Sequence, residues 1–301
     1  MRLYAYIGNE LKGFSDHNRY KKWIENYSSD NFQPLIQKAV VPLPGEHNLE
    51  ECQLMIFSDF DFVFVGDHSY SILAGMATTP ESDVIQTENP ILRRNFNSWR
   101  AIYDKYSEGY MQCIENMLAT EKAENLNHKG LRKALEKISD IEKEANLRVI
   151  QFGGLKGLKL EDIKLAGERS ICHDVCFEFF QTVIKKESLN ADVHVLSYCW
   201  CGDLIRSTLP AGGLNGIKVH ANELEFEESV CTGKILGKVV SPIDKVEAFA
   251  KICGKGNDKK KLLSVYIGDS FKDLLCLLEA DIGIMVDPCQ KVIDLAVSWC
   301  G

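Results

Sequence analysis

The sequence has no apolar run approaching the roughly 20 residues that a membrane-spanning helix needs, so a helical membrane protein is excluded. It has no excess of positive charge. Its 35 Lys and Arg stand against 43 Asp and Glu, a net charge of −8, which argues against a nucleic-acid or anionic-membrane partner. A local basic pocket for a small phosphate is still compatible with that balance. The 11 cysteines include no CxxC pair, so a zinc site has no ligand spacing to rest on. An odd count without regular spacing reads as reduced thiols in a cytosol-like compartment. The opening "MRLYAYIGNE" is neither a basic-apolar signal nor a Ser/Arg-rich transit peptide. Cytosol is therefore the default location, with a mitochondrial one open if a leader precedes this region. Neither an internal repeat nor a low-complexity tract interrupts the chain.

The 301 residues, 45% hydrophobic and 26% charged, suit one core with an insertion or two modest domains. The stretches "MRLYAYIGNELKG" and "NRYKKWIENYSSDNF" read as two short helices, and "VVPLPGEHNLEE", with two prolines and a glycine, as a linker. The run "MIFSDFDFVFVGD" then reads as a buried strand leaving a loop. From about Glu81 to Gly167 the spacing is helical. After about Ser170, helix and strand patterns alternate: strands in "ADVHVLSYCW", "IKVHANELEFEE", "LLSVYIGDS" and "DIGIMVD", with helices between them. Alternation with apolar strands predicts an α/β fold, a Rossmann-like parallel sheet with helices on both faces.

Two carboxylates in an apolar run raise a physical question, because a buried unpartnered acid loses its charge or destabilises the fold. Asp59 and Asp61 fall where the first core strand runs out, Ser197 follows "VHVL", and Asp269 follows "LLSVYIG". Ligands in parallel sheets bind outside the carboxyl ends of the strands. A divalent cation between Asp59 and Asp269 would keep both ionised, and oxygen ligands without His or Cys suit Mg²⁺. A carboxylate beside a bound phosphate can form an aspartyl-phosphate, and a second one can move protons to the leaving oxygen and from water. The Ser197 hydroxyl and Lys245 ammonium would stabilise phosphoryl oxygens.

The segments "DFDFV", "VLS" ending at Ser197, "SPIDK" ending at Lys245 and "GDSFKD" resemble, in order, the four motifs of the haloacid dehalogenase-type phosphatases. "VLSYCWCGDLIRS", "VHANELEFEES", "GLKGLKLEDIKLAGER" and "SVYIGDSFKDLLCLLEADIGI" resemble the phosphatase half of the plant thiamine monophosphate phosphatases, in which a TenA-like helical domain comes first. The resemblance implies a haloacid dehalogenase-like core at residues 51–80 and 186–301 with a helical cap at 81–185. It makes 1–40 a short helical remnant of the TenA-like domain. It implies Mg²⁺-dependent hydrolysis of thiamine monophosphate, a small-molecule phosphomonoester, with Asp59 as nucleophile and Asp61 as acid/base. Ser197 and Lys245 would hold phosphate; Asp59, the Asp61 carbonyl and Asp269 would hold metal; Ser270 and Asp273 would support them. The oligomeric state is left open.

Three departures from the family pattern are visible. Val63 stands where close relatives have Thr, Phe64 replaces a small residue and is expected to alter the site entrance, and the chain ends at Gly301 where relatives continue. The alternatives are another substrate (a nucleoside monophosphate or phosphoserine) or a non-catalytic binding protein. Trp99, Tyr103, Tyr106 and Tyr110 recur at helical spacing and read as the core of a helical bundle, with stacking on a flat substrate as the second reading. The helix from Arg132 to Arg148 reads as a solvated face, and Cys199 and Cys201 as packing residues around Trp200.

Overall fold

The computed structural model describes residues 52–78, 90–124, 128–170, 172–186, 189–254 and 261–286, and the expected N-terminal segment lies outside them. The elements in chain order are β1 (Cys52–Ser58), α1 (Ser69–Met76), α2 (Pro90–Glu124), α3 (His128–Phe152), α4 (Leu160–Glu168), α5 (Asp174–Lys185), β2 (Ala191–Leu196) and α6 (Gly202–Ala211). There follow β3 (Lys218–His220), β4 (Glu223–Glu227), β5 (Val230–Leu236), α7 (Pro242–Cys253), β6 (Lys261–Gly268), α8 (Leu274–Glu279) and β7 (Ile282–Met285).

Five strands form one parallel sheet in the order β3-β2-β1-β6-β7. The central strand β1 is apolar almost throughout because it is covered on both faces. Successive side chains of a strand face opposite ways. Accordingly Ile56 joins the core layer that contains Phe60, Phe64, Phe177 and Phe180, whereas Met55 and Phe57 join the opposite layer with Leu131, Leu135, Phe249 and Tyr266. The α/β architecture is the one the alternation predicts.

Helices α2 and α3 pack against each other, and α3 also rests on α7. The buried residues of α3 include Leu131, Leu135, Ile138, Glu142 and Val149, one stripe at helical spacing. Helix α4 packs on α6, and α5 on β2. The reason is apolar demand: Phe177 and Phe180 of α5 bury against the ring of Phe64. That contact also corrects the expectation for Phe64, which lies fully buried in the core rather than at an entrance.

The strand expected across "IKVHANELEFEE" is two strands. Asn222 separates them: its side chain donates to the Tyr198 and Val239 carbonyls and accepts from the Lys238 and Val239 amides. Beyond it β4 turns into an antiparallel hairpin with β5, a strand that sequence patterning overlooks. The hairpin turns through Glu228 and Ser229, both in left-handed backbone (φ 48° and 68°). Left-handed turns usually announce themselves by Gly or Asn, and here neither is present.

Candidate active site

Asp59 is the first residue beyond β1, and its amide donates to the Ile267 carbonyl of β6 at 2.9 Å, which ties it to the neighbouring strand. The Phe60 amide donates to Asp59 Oδ1 at 2.7 Å, and Lys245 Nζ stands 2.7 Å from Asp59 Oδ2. Immediately after Asp61 the chain reverses, with Phe62 in left-handed backbone (φ 57°) and the Phe64 amide donating to the Phe60 carbonyl. Asp61 is held from α1, where the Ser69 amide and hydroxyl donate to its carboxylate at 3.0 and 3.2 Å.

Lys245 is brought in by α7. Ser241 caps that helix by accepting from the Asp244 amide, and Pro242 begins it, an arrangement suited to a helix N-terminus. Its ammonium is fully buried and bridges Asp59 to Asp273, the latter also at 2.7 Å. Burial opposes the lysine's charge, but Asp273 and Asp59 outweigh it and hold the ammonium above its ordinary range. Asp273 accepts in addition from Tyr266 Oη, Ser270 Oγ and the Ser270 amide. Burial opposes its charge too, yet Lys245 and these hydroxyls keep it below the usual carboxylate range. Gly268 makes the approach possible, because a Cβ there would lie 2.6 Å from Asp273 Cβ.

Asp269 begins the loop after β6. Burial, then the charges of Asp273 and Asp59, push its carboxyl up to about 8. Burial likewise lifts Asp59 to about 7, with Lys245 acting against it. Oxygens of Asp59, Asp269 and Asp273 all lie within 4.8 Å of one another. One ammonium cannot neutralise three carboxylates, and Asp273 is already saturated by its own partners. With Lys245 shared between Asp59 and Asp273, the ionised cluster of three acids is left short of a counter-charge. A hard divalent cation supplies it, so the donor set fits Mg²⁺.

Ser197 is fully buried at the end of β2, its amide donating to the His220 carbonyl and its hydroxyl accepting from the Cys199 amide at 3.1 Å. Asp59, Lys245, Asp269, Ser270 and Asp273 thus form one contiguous set. Asp61 and Ser197 stand at the same strand ends without a direct bond to it.

Beside Asp61 a cavity of about 360 Å³ lies between the sheet's loops and helices α2 and α3. Trp99, Tyr103 and Tyr106 line it, as the second reading of that stripe expects, while Trp99 and Tyr110 also pack against the two core layers. The α3 helix does carry solvated pairs such as Arg132–Glu136, but Glu142 is buried, accepting from Tyr106 Oη at 2.8 Å and Lys272 Nζ at 3.1 Å. Sequence reasoning missed Glu142, Asn146, Tyr198, Trp200 and Lys272. A signal existed for Glu142, seven residues after Leu135 and four after Ile138, hence on the apolar stripe. Cys199 and Cys201 are buried, and burial pushes the Cys201 thiol up to about 11, in keeping with packing roles.

No family model matches the chain. It is 46% identical to the bifunctional TH2 protein, mitochondrial, of Arabidopsis thaliana, a match covering 95% of this chain and 55% of that protein. The chain thus spans about half the length of that relative. A CTO1 family protein of Schizosaccharomyces pombe is 29% identical over 65% of this chain and 74% of its own length. Among solved structures, a phospho-aspartyl intermediate analogue of phosphoserine phosphatase superposes with a TM-score of 0.45 at 16% identity, covering 83% of this chain and 91% of that one. A substrate-bound phosphoserine phosphatase gives a TM-score of 0.43 at 18% identity, covering 81% and 97%. Among the described residues no helix is long and apolar enough to cross a membrane.

Proposed function

We propose that the chain is a Mg²⁺-dependent phosphomonoesterase of the haloacid dehalogenase type acting through Asp59, with thiamine monophosphate as substrate. The observation that carries the chemistry is the Asp59–Lys245–Asp273 bridge at the ends of adjacent parallel strands. Support for the substrate comes from the resemblance of four long segments to the plant thiamine monophosphate phosphatases and from the 46% identity to a bifunctional plant protein.

In this reading Asp59 attacks phosphorus, forming an acyl phosphate as the bond to the leaving oxygen breaks. Asp61, whose carboxyl is steered by Ser69, gives that oxygen its proton. It then takes a proton from a water that attacks the acyl phosphate, releasing inorganic phosphate and freeing Asp59. Lys245 opposes protonation of Asp59 and, with Ser197, offers charge and a hydroxyl to phosphoryl oxygens. Asp59, Asp269 and the Asp61 carbonyl would hold Mg²⁺, which when bound offsets the negative charge of the acids and the phosphate. Asp273 and Ser270 support Lys245. Helices α2 and α3 form the cap. The relative's mitochondrial name supports a mitochondrial setting for this chain.

Turnover of a panel of phosphomonoesters, with and without Mg²⁺, tests the proposal. Release of phosphate from thiamine monophosphate at far higher kcat/KM than from phosphoserine or nucleoside monophosphates supports it. Metal-dependent turnover with another preference would retain the chemistry and reject the substrate.

A further inference from the structure

Beside Asp61 the aromatic side chains are not scattered but form a continuous file. His68 stacks on Tyr70 at 4.6 Å between ring centroids, Tyr70 lies 6.2 Å from Trp200, and Trp200 stacks on Trp99 at 5.8 Å. Tyr103 adjoins Tyr70 at 6.5 Å. The file begins at the proposed proton donor, where His68 Nδ1 stands 3.7 Å from Asp61 Oδ2. It ends under the cap, with Trp99 against Phe152. All five rings line the same cavity, whose volume of about 360 Å³ suits a small organic molecule.

Two features distinguish this wall from ordinary core. Tyr103 is 52% exposed, although its neighbours along the file are partly buried. Trp99 Nε1 is buried without a hydrogen-bond partner, a donor that a packed core would satisfy. Trp200, by contrast, is fixed: its Nε1 donates to Asn146 Oδ1 of α3 at 2.8 Å. Core and cap each supply part of the wall, since Tyr70 belongs to α1 and Trp200 to the loop after β2.

We propose that this file is the leaving-group subsite, and that it selects a flat, electron-poor heteroaromatic alcohol, with Trp200, Tyr70 and Tyr103 as specificity residues. Such a ring gains from the electron-rich faces of Trp and Tyr, and an acceptor on it can meet the free indole N–H of Trp99. An aliphatic alcohol gains neither contact. The inference rests on the phosphatase reading only for which end of the ligand faces Asp61; binding of the ring itself requires no turnover.

The test is calorimetric titration of the phosphate-free alcohol. Thiamine, whose hydroxyethyl group is carried on a flat cationic ring, serves as the probe and choline as a cation without a flat ring. Thiamine is expected to bind, and choline to bind at least about a hundredfold more weakly. Tyr103→Leu and Trp200→Leu should each weaken thiamine about tenfold, roughly the worth of one ring stack, and Trp200→Phe by less than threefold. The same variants should raise KM for thiamine monophosphate by a larger factor than KM for a small aliphatic phosphate. Equal binding of thiamine by wild type and both Leu variants overturns the subsite, as does choline matching thiamine. No thiamine binding in a protein that still hydrolyses aryl phosphate rejects the subsite and leaves the phosphatase intact. Thiamine binding without turnover of any phosphate does the reverse.

Discussion

Lys272 and Glu142 lie 130 positions apart in the chain, yet the ammonium of one stands 3.1 Å from the carboxylate of the other. The pair joins the loop after β6 to the middle of α3, and Tyr106 of α2 donates to the same carboxylate. Burial opposes the charge on Lys272, but Glu142 outweighs it and holds the ammonium above its ordinary range. A double-mutant cycle of Glu142→Gln with Lys272→Met should therefore give a coupling of about 1.5–3 kcal/mol in denaturant unfolding, the range for hydrogen bonds to charged groups. Hydrogen exchange of α3 should quicken in Glu142→Gln. Additive effects would show that the two charges are not coupled.

Lys245 has two carboxylates on one buried ammonium, so its removal strands both. Lys245→Met is expected to cost about 3–5 kcal/mol of stability, as for breaking a buried pair, and to abolish turnover. The double variant Lys245→Met with Asp273→Asn should recover part of that stability without recovering activity. Chemical denaturation alongside an aryl phosphate assay separates the two effects.

Asp59 and Asp61 differ in what holds them, and their amides should differ in consequence. Asp59→Asn removes the proposed nucleophile, so neither turnover nor a phosphoenzyme is expected. Asp61→Asn should keep phosphate affinity and lose turnover by roughly 10²–10⁴-fold, the usual worth of general acid–base catalysis. With a leaving group that needs no proton, phosphate should accumulate on Asp59 in the Asp61 variant. Mass spectrometry of the peptide containing "SDFDF" would reveal the adduct. Near wild-type rates in Asp59→Asn would return the paired acids to a structural role.

A histidine pair on β2 and β3 makes the sheet sensitive to acid. His194 Nδ1 lies 3.0 Å from His220 Nε2, with Asp192 and Lys218 beside them. Burial, then its neighbour's charge, depresses His220 to about 4, and burial depresses His194 too. Between pH 6.5 and about 4 these two histidines therefore bind more protons unfolded than folded, opposite to Asp59 and Asp269, whose raised values make them bind more when folded. Stability contributed by the neutral pair is complete above the unfolded value and is lost as pH falls through the folded one. Relative to wild type, His220→Gln should therefore gain Tm as pH falls from 6.5 to about 4. An unchanged slope would clear the pair.

Much of the architecture was legible because parallel strands covered on both faces need unbroken apolar runs. "CQLMIFS" and "KLLSVYIG" could hardly be anything else, and their ends marked Asp59 and Asp269. What escaped notice depends on contacts made across the fold. The hairpin β4–β5 turns on Glu228 and Ser229, which carry no local turn signal, and a helix pattern such as that of α5 does not say what it packs on. The aromatic file is hidden from the sequence for the same reason. Helical spacing puts Trp99 and Tyr103 near one another, but only Tyr70 and Trp200, distant in sequence, make their faces a wall rather than a bundle interior.

That division of the wall between two parts of the molecule limits how far selectivity can be transplanted. A chimera that exchanged α2 and α3 for those of a paralogue would import new versions of Trp99, Tyr103, Glu142 and Asn146 while retaining Tyr70 and Trp200. The indole of Trp200 would then face a stranger where Asn146 had accepted its N–H. Recombination at the helix boundaries should yield generalists, and a clean change of preference would require the loop after β2 to travel with the helices.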